Sequence, residues 1–189
     1  MIMRKKYTWI IIACVVIFAA AALAELAMGR LAFGPDGKFG WWEGNIWSSA
    51  QSQRFADPYS FTHVVHGFLF YALLWLVARK LPVKYRLILA VLLEAAWEVL
   101  ENSPIVIDRY RAVTISLGYE GDSVLNSLSD ILMMALGFWA AWRAKIWLSI
   151  AAVVAMELVL LLWVRDNLTL NIIMLIYPFQ SILKWQGGG

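Results

Sequence analysis

Charge is what this chain is short of. Asp, Glu, Lys and Arg together make 15% of its 189 residues, where a soluble domain carries roughly 25%. With 62% hydrophobic residues, that deficit excludes an ordinary water-soluble globule and reads as one integral membrane domain. Cysteine is nearly absent. Cys14 stands alone inside the first apolar run, so neither an intramolecular disulfide nor a cysteine-based metal cluster can form. The sequence holds only 2 histidines and no H-E-x-x-H string, which removes the zinc-protease helix from consideration. It has no basic patch either. The net charge of +3 comes from Lys and Arg gathered at the ends of apolar runs, which is a topology signal, and no nucleic-acid partner is expected.

What is present is a series of apolar runs of membrane-spanning length. Arg4, Lys5 and Lys6 precede Tyr7–Met28, a run long enough for the ~20 residues a bilayer requires. Its length, and Glu25 near its end, favour a retained first span over a signal peptide. Arg30–Phe61 follows as a polar outer loop with Trp41, Trp42 and Trp47 interspersed, readable as an interfacial belt or as a lid over a site. A second span runs from about Phe61 to Ala78, with Ser60 or Thr62 as its cap, and Arg79, Lys80, Lys84 and Arg86 mark a cytoplasmic turn. The third covers Leu87–Asn102 and stops before Pro104. After an outer loop at 103–121, the fourth covers Asp122–Trp142 and the fifth Ile146–Val164. Leu168–Trp185, with Pro178 in its middle, is a kinked sixth span or a re-entrant segment, the span being preferred. The expectation is an all-α, polytopic membrane helical bundle of about six transmembrane helices, residues 1–186, with both termini cytoplasmic. Gly187–Gly189 reads as a tag remnant.

Within these runs, Glu94, Glu98 and Glu101 recur at i, i+4 and i+7, and Asp122, Asn126 and Asp130 at i, i+4 and i+8. Each set makes one acidic helix face. His63 and His66, at i and i+3, open the second span. The topology puts all of them in the outer half of the membrane, Glu94 about 10 Å below the end of its helix and Asp130 about 12 Å below the start of its own, at 1.5 Å per residue. Charged side chains at bilayer depth cost at least ~2.5–3.5 kcal/mol each, so several at one level should face a wet or ion-filled interior. His63, His66, Glu98 and Asp122 are the candidate catalytic residues and the candidate ligands of a divalent metal, for which an N/O donor set suits Zn, Mn or Fe. Glu94, Glu101, Asn126 and Asp130 would stand behind them. Arg109 and Arg111, in the outer loop, can clamp a phosphate. The competing reading for each residue is an ion pair or hydrogen bond that only fixes the fold. Glu157 lies at intramembrane depth in the fifth span and matches none of these spacings.

The strings S-Q-R-F-A-D-P-Y-S-F-T-H-V-V-H-G-F, W-E-V-L-E-N-S-P-I-V-I-D-R-Y-R, G-Y-E-G-D-S-V-L-N-S-L-S-D and R-D-N-L-T-L-N resemble the bacterial inner-membrane proteins of domain of unknown function 2585. The likeness covers most of the chain from Ser52 onward and implies a multi-pass protein of the bacterial inner membrane. Members of that family often carry a cysteine pair in the first outer loop; Phe33–Lys38 occupies that region here without cysteine. A looser resemblance, in order and spacing, is to the VanZ-like membrane proteins, through His66, Glu98, Arg111, Asp122, Asn126 and Gly137. Neither resemblance implies a reaction.

These observations lead to two expectations. The first is an enzyme that acts on a membrane lipid or lipid-linked substrate at the outer leaflet, by hydrolysis or group transfer, with the His/Glu/Asp site facing the periplasm. The second is a non-catalytic protein that uses the same pocket to bind, move or assemble with an amphipathic ligand.

Overall fold

The computed structural model describes residues 2–116 and 118–188, the side chains from residue 8 onward. The side chains of Arg4, Lys5 and Lys6, on which the orientation argument leaned, lie outside the described residues, as does Gly189. Among the described residues the chain is all-helical: α1 (Ile2–Ala27), α2 (Ser60–Val77), α3 (Val83–Glu101), α4 (Pro104–Val113), α5 (Val124–Arg143), α6 (Ile146–Val164), α7 (Leu168–Ile176) and α8 (Gln180–Gln186). Four of these are long and apolar enough to cross a membrane, the spans being Thr8–Ala27, Ser60–Val77, Val124–Arg143 and Ile146–Val164. The protein is therefore a membrane protein. α3 is as long as α6, but Lys84, Arg86, Glu94, Glu98 and Glu101 keep it out of that apolar set.

α2 and α5 form the central pair. They cross at Gly67 and Gly137, where a Cβ on Gly67 would lie 2.1 Å from the Met134 carbonyl oxygen and one on Gly137 would lie 2.1 Å from that of Val64. Only glycine permits backbones this close, the small-residue device of membrane helix packing. α3 packs against both helices and against α1, and Ile131, Met134, Phe138, Ala90, Val91 and Ala95 fill the space between them. Trp9 packs at a tilt against Tyr85 at the first ends of α1 and α3, so those two helices run parallel.

The opposite end of the bundle is tied together by the 30–59 loop. The first amides of α5 have no partner within their own helix. The loop supplies them: Ser123, Val124 and Leu125 donate to the carbonyls of Ser52, Leu31 and Ala32 at 2.9, 2.9 and 3.2 Å. Trp42 of the loop stacks on Trp163 of α6. Asp57 and Ser60 form a reciprocal cap at the start of α2. Asp57 Oδ1 accepts from the Tyr59 and Ser60 amides at 2.7 and 3.2 Å, and Ser60 Oγ accepts from the Asp57 amide at 3.2 Å.

The structure corrects two expectations and refines a third. Pro104 ends α3 as anticipated, yet it also opens α4 as its first residue, so 103–121 is a helix followed by a loop. The fourth long helix begins at Val124, with Ser123 as its cap, two residues after Asp122. Leu168–Trp185, expected as a kinked sixth span with a re-entrant segment as the alternative, is not one continuous helix. Leu168–Gln186 folds as two short helices broken at Pro178, and its end returns to its beginning: Gln186 Nε2 donates to Asp166 Oδ1 at 2.9 Å and Arg165 donates to the Trp185 carbonyl at 3.2 Å. Nine residues of α7 reach only about 13 Å at 1.5 Å per residue. Five long helices alternate in direction, and α8 comes back to the end of α6. Trp9 and Gln186 therefore sit at opposite ends of the bundle.

Candidate functional site

Sequence spacing placed acids on one face of α3 and imidazoles on one face of α2, and the glycine crossing turns the α2 face toward α3 and α5. His63 Nδ1 lies 2.7 Å from Glu94 Oε1 and 3.2 Å from Glu98 Oε1. His66 Nδ1 lies 2.9 and 3.1 Å from the two Glu94 oxygens. The two rings meet edge to face at 5.1 Å, and His66 stacks on Phe70. On the far side of His63, Nε2 is 3.8 Å from Asp130 Oδ2 on α5. Glu94 and Glu98 are fully buried, and Asp130 nearly so. Glu94 was expected to stand behind the site, but it is the residue that joins both imidazoles.

Two sets of side chains bring potential metal-ligand atoms within 4.8 Å of one another: His63, His66 and Glu94, and His63, Glu98 and Glu101. Asp122 belongs to neither. Its Oδ1 accepts from Tyr119 Oη at 3.0 Å and its Oδ2 from Asn102 Nδ2 at 3.2 Å, while its amide donates to Asn102 Oδ1 at 2.6 Å. Asn102 also reaches Ser127 Oγ at 3.1 Å, so this one buried amide fastens the end of α3 to the start of α5. Asn126 is turned to the outer loop and donates to the Arg54 carbonyl at 2.9 Å. Burial pushes the Asp122 carboxyl up to about 6, against hydrogen bonds from Tyr119, Ser52 and Asn102 that lower it. Burial, together with the nearby Asp122 charge, does the same to Asp57.

The arginines expected to clamp a phosphate both donate to backbone carbonyls. Arg109 donates through Nε and Nη2 to the Leu175 carbonyl at 3.1 and 2.8 Å, capping α7 from α4. Arg111 donates to the Tyr119 carbonyl and lies near Asp108. The two guanidinium groups thus meet different partners, Arg109 on α7 and Arg111 on the 114–123 loop.

A cavity of about 1070 Å³ opens beside the imidazoles. Its polar lining includes His63, His66, Glu101, Asp122 and Asp130. Its apolar lining includes Leu69 of α2, Leu93 and Leu100 of α3, and Ile172 and Leu175 of α7. Among the described residues, Arg30 is the one Lys or Arg in its lining. Its Nε has no partner, while its Nη1 donates to the Glu120 carbonyl. Sequence reading passed over Arg30 because it stands at a helix end, where an arginine is an ordinary topology signal. Asn102 was likewise missed, because it carries no charge and has no periodic partner.

Glu157, unexplained by spacing, has a structural task. Its carboxylate accepts from the Leu168 and Thr169 amides, each at 3.1 Å, and from Thr169 Oγ1 at 2.5 Å. It caps the first turn of α7 from the neighbouring helix, which explains an acid at that depth.

Comparison with known proteins agrees with the sequence resemblance. The chain is 45% identical over 185 residues to a UPF0314 protein of Rhizobium etli (strain CIAT 652), covering 98% of this chain and 94% of the relative. It is 46% identical over 181 residues to one of Sphingopyxis alaskensis, covering 96% and 95%. It is 49% identical over 170 residues to one of Paracoccus denitrificans, covering 90% and 88%. No solved structure matches. The family model described as "Protein of unknown function (DUF2585)" matches residues 25–188, and the chain belongs to that family.

Proposed function

We propose that the protein is a membrane-embedded enzyme that acts on a lipid or lipid-linked substrate by hydrolysis or group transfer at the polar head. The observation that carries this reading is the mixed lining of the cavity. Imidazoles and carboxylates line it together with Leu69, Leu93, Leu100 and Ile172, each about half exposed. Such a lining suits an acyl chain entering sideways from the bilayer, which carries its head group to the imidazoles and carboxylates. His63 and His66, paired through Glu94, supply acid–base chemistry there, and Arg30 is the cation within reach of an anionic head. Asp122 takes part from the cavity side, held by Asn102 and Tyr119.

The reading extends to orientation. Lys and Arg at the α2–α3 and α5–α6 turns place those turns in the cytoplasm. The N-terminal end of α1 is then cytoplasmic, and the cavity and the α7–α8 hairpin face the periplasmic side of the bacterial inner membrane. α3 becomes a fifth crossing whose acids are turned toward α2 and α5.

The test is turnover of a labelled bacterial polar-lipid extract, including polyprenyl-linked phosphates, by protein reconstituted in liposomes. Head-group release or exchange is expected with the wild type and should fall at least 100-fold in His66→Ala, with the thermal midpoint in detergent held within a few degrees. Unchanged turnover in His66→Ala, or an inert wild type that nonetheless retains a stoichiometric lipid through purification, would overturn the enzymatic reading. The second result would favour a binding protein.

A further inference from the structure

We infer that the imidazole–carboxylate cluster holds a divalent transition-metal cation at His63, between the two overlapping ligand sets that His66 and Glu94 on one side and Glu98 and Glu101 on the other complete. This goes beyond the reaction proposed above and does not depend on it.

Potential ligand atoms lie within 4.8 Å of one another in two sets that share His63: His63, His66 and Glu94, and His63, Glu98 and Glu101. His63 Nδ1, His66 Nδ1, Glu94 Oε1 and Glu98 Oε1 are linked by separations of 2.7, 2.9 and 3.2 Å. Donors each about 2.0–2.2 Å from a shared metal stand roughly 3 Å apart. Hydrogen bonding alone leaves the cluster incomplete. His63 Nδ1 faces two carboxylates, and one nitrogen carries at most one proton. Given to Glu94, that proton leaves Glu98, which is 0% exposed, with neither carboxylate oxygen hydrogen-bonded. A buried carboxylate without a partner is among the costliest arrangements a protein can hold. Among the described residues, no Lys or Arg forms an ion pair with Glu94, Glu98 or Asp130; their only partners of that kind are the two imidazoles. A dication resolves this excess of negative charge and gives Glu98 its partner.

The surroundings fit as well. If His63 ligates through Nδ1, its Nε2–H points to Asp130 Oδ2, 3.8 Å away. A carboxylate behind the imidazole is the usual device for fixing the tautomer and orientation of a metal ligand. His63 and His66 also line the cavity, which provides an entry path. Two imidazoles with carboxylates favour Zn, Mn or Fe over Mg or Ca, which prefer all-oxygen sites.

The experiment is elemental analysis of full-length protein purified in detergent without chelator, followed by titration of the stripped protein with Co²⁺ while visible absorption is recorded. About one equivalent of metal is expected in the wild type, together with a saturable Co²⁺ band. Affinity should fall at least tenfold in both His63→Ala and Glu98→Gln, and should be unchanged in Asp122→Asn. Glu98→Gln guards against misfolding, because it keeps the side-chain shape and removes the unpaired charge, so its stripped form should melt no lower than the stripped wild type. Less than a tenth of an equivalent with no Co²⁺ band, or equal affinity in wild type and both variants, overturns the site. Loss of metal with lipid turnover intact would leave the metal site standing and divorce it from the reaction.

Discussion

Asn102 shows how much of this site hangs on residues without charge. Its side chain is fully buried, accepts from the Asp122 amide, and donates to Asp122 Oδ2, Ser127 Oγ and the Glu98 carbonyl. Asn102→Ala would leave the Asp122 amide and carboxylate without their buried partner. Each abandoned buried polar group costs about 1–3 kcal/mol, so the variant should lose about 3 kcal/mol of stability, read as a lowered thermal midpoint in detergent. Asn102→Asp should fare no better, since it sets a second acid against Asp122. An unchanged midpoint in the alanine variant would mean the α3–α5 tie carries no weight. At this scale the sequence was legible in part. The i, i+4 and i+7 spacing of Glu94, Glu98 and Glu101 revealed a shared face and a common depth. It could not reveal which carboxylate meets which imidazole, because that depends on how far α2 slides and rotates against α3. Glu94 therefore moved from a supporting place to the junction of both rings, and Asp122 moved away from them. The backbone partners of Arg109 and Arg111 were illegible for a similar reason: nothing local signals that a guanidinium will find a backbone carbonyl on α4's neighbours.

Among the elements, the helices themselves were legible and their pairings were not. The length of each apolar run and the position of Pro104 fixed the long helices to within a few residues, because backbone hydrogen bonding in lipid leaves little choice but helix. Gly67 and Gly137 look like weak points in a helix until their close approach is seen. Pro178 announced a break, but the return of α8 to Asp166 depends on contacts between residues far apart in sequence. Asp166 is the hub of that return. It is almost fully buried and accepts from Tyr59 Oη, the Asn167 amide and Gln186 Nε2 at 2.9, 3.0 and 2.9 Å. Burial outweighs these bonds and pushes its carboxyl up from 3.8 to about 6. A carboxyl with a raised folded pKa holds its proton in the folded state after the unfolded chain has lost it. Stability is then fully present below the ordinary carboxylate range and declines as pH rises toward 6, at ~1.4 kcal/mol per unit of displacement. The thermal midpoint should therefore fall between about pH 4 and 6. Asp57 and Asp122 titrate in the same direction, so the diagnostic is the difference between proteins: Asp166→Asn should show a visibly shallower slope than the wild type. Parallel slopes would exclude Asp166 as a titrating anchor of the hairpin.

For the molecule as a whole, the parity of crossings is decided by α3 and by the α7–α8 hairpin together. α3 has the weakest membrane signal of the five long helices, since each charge at the bilayer centre costs at least ~2.5–3.5 kcal/mol on insertion scales. Lys84 and Arg86 stand near one end, however, and the carboxylates of Glu94 and Glu98 are turned away from lipid against α2. The penalty then falls on an isolated α3 and is relieved once α2 and α5 are in place. With α3 crossing, α1, α2, α3, α5 and α6 make an odd number of passes. The hairpin adds none, because Gln186 is back beside Asp166. A reporter joined after Gln186 must then lie on the side opposite one inserted at the Ala144–Lys145 turn. Alkaline phosphatase fused at the C-terminal end should be active and green fluorescent protein there dark, with the reverse at the turn. If Leu168–Trp185 instead crossed as a sixth span, both positions would report the cytoplasm. If α3 failed to cross, α5 and α6 would be inverted and the two reporters exchanged. Because α3 carries Glu94 and Glu98 to the imidazoles, the same fusions also decide whether the site can face the periplasm at all.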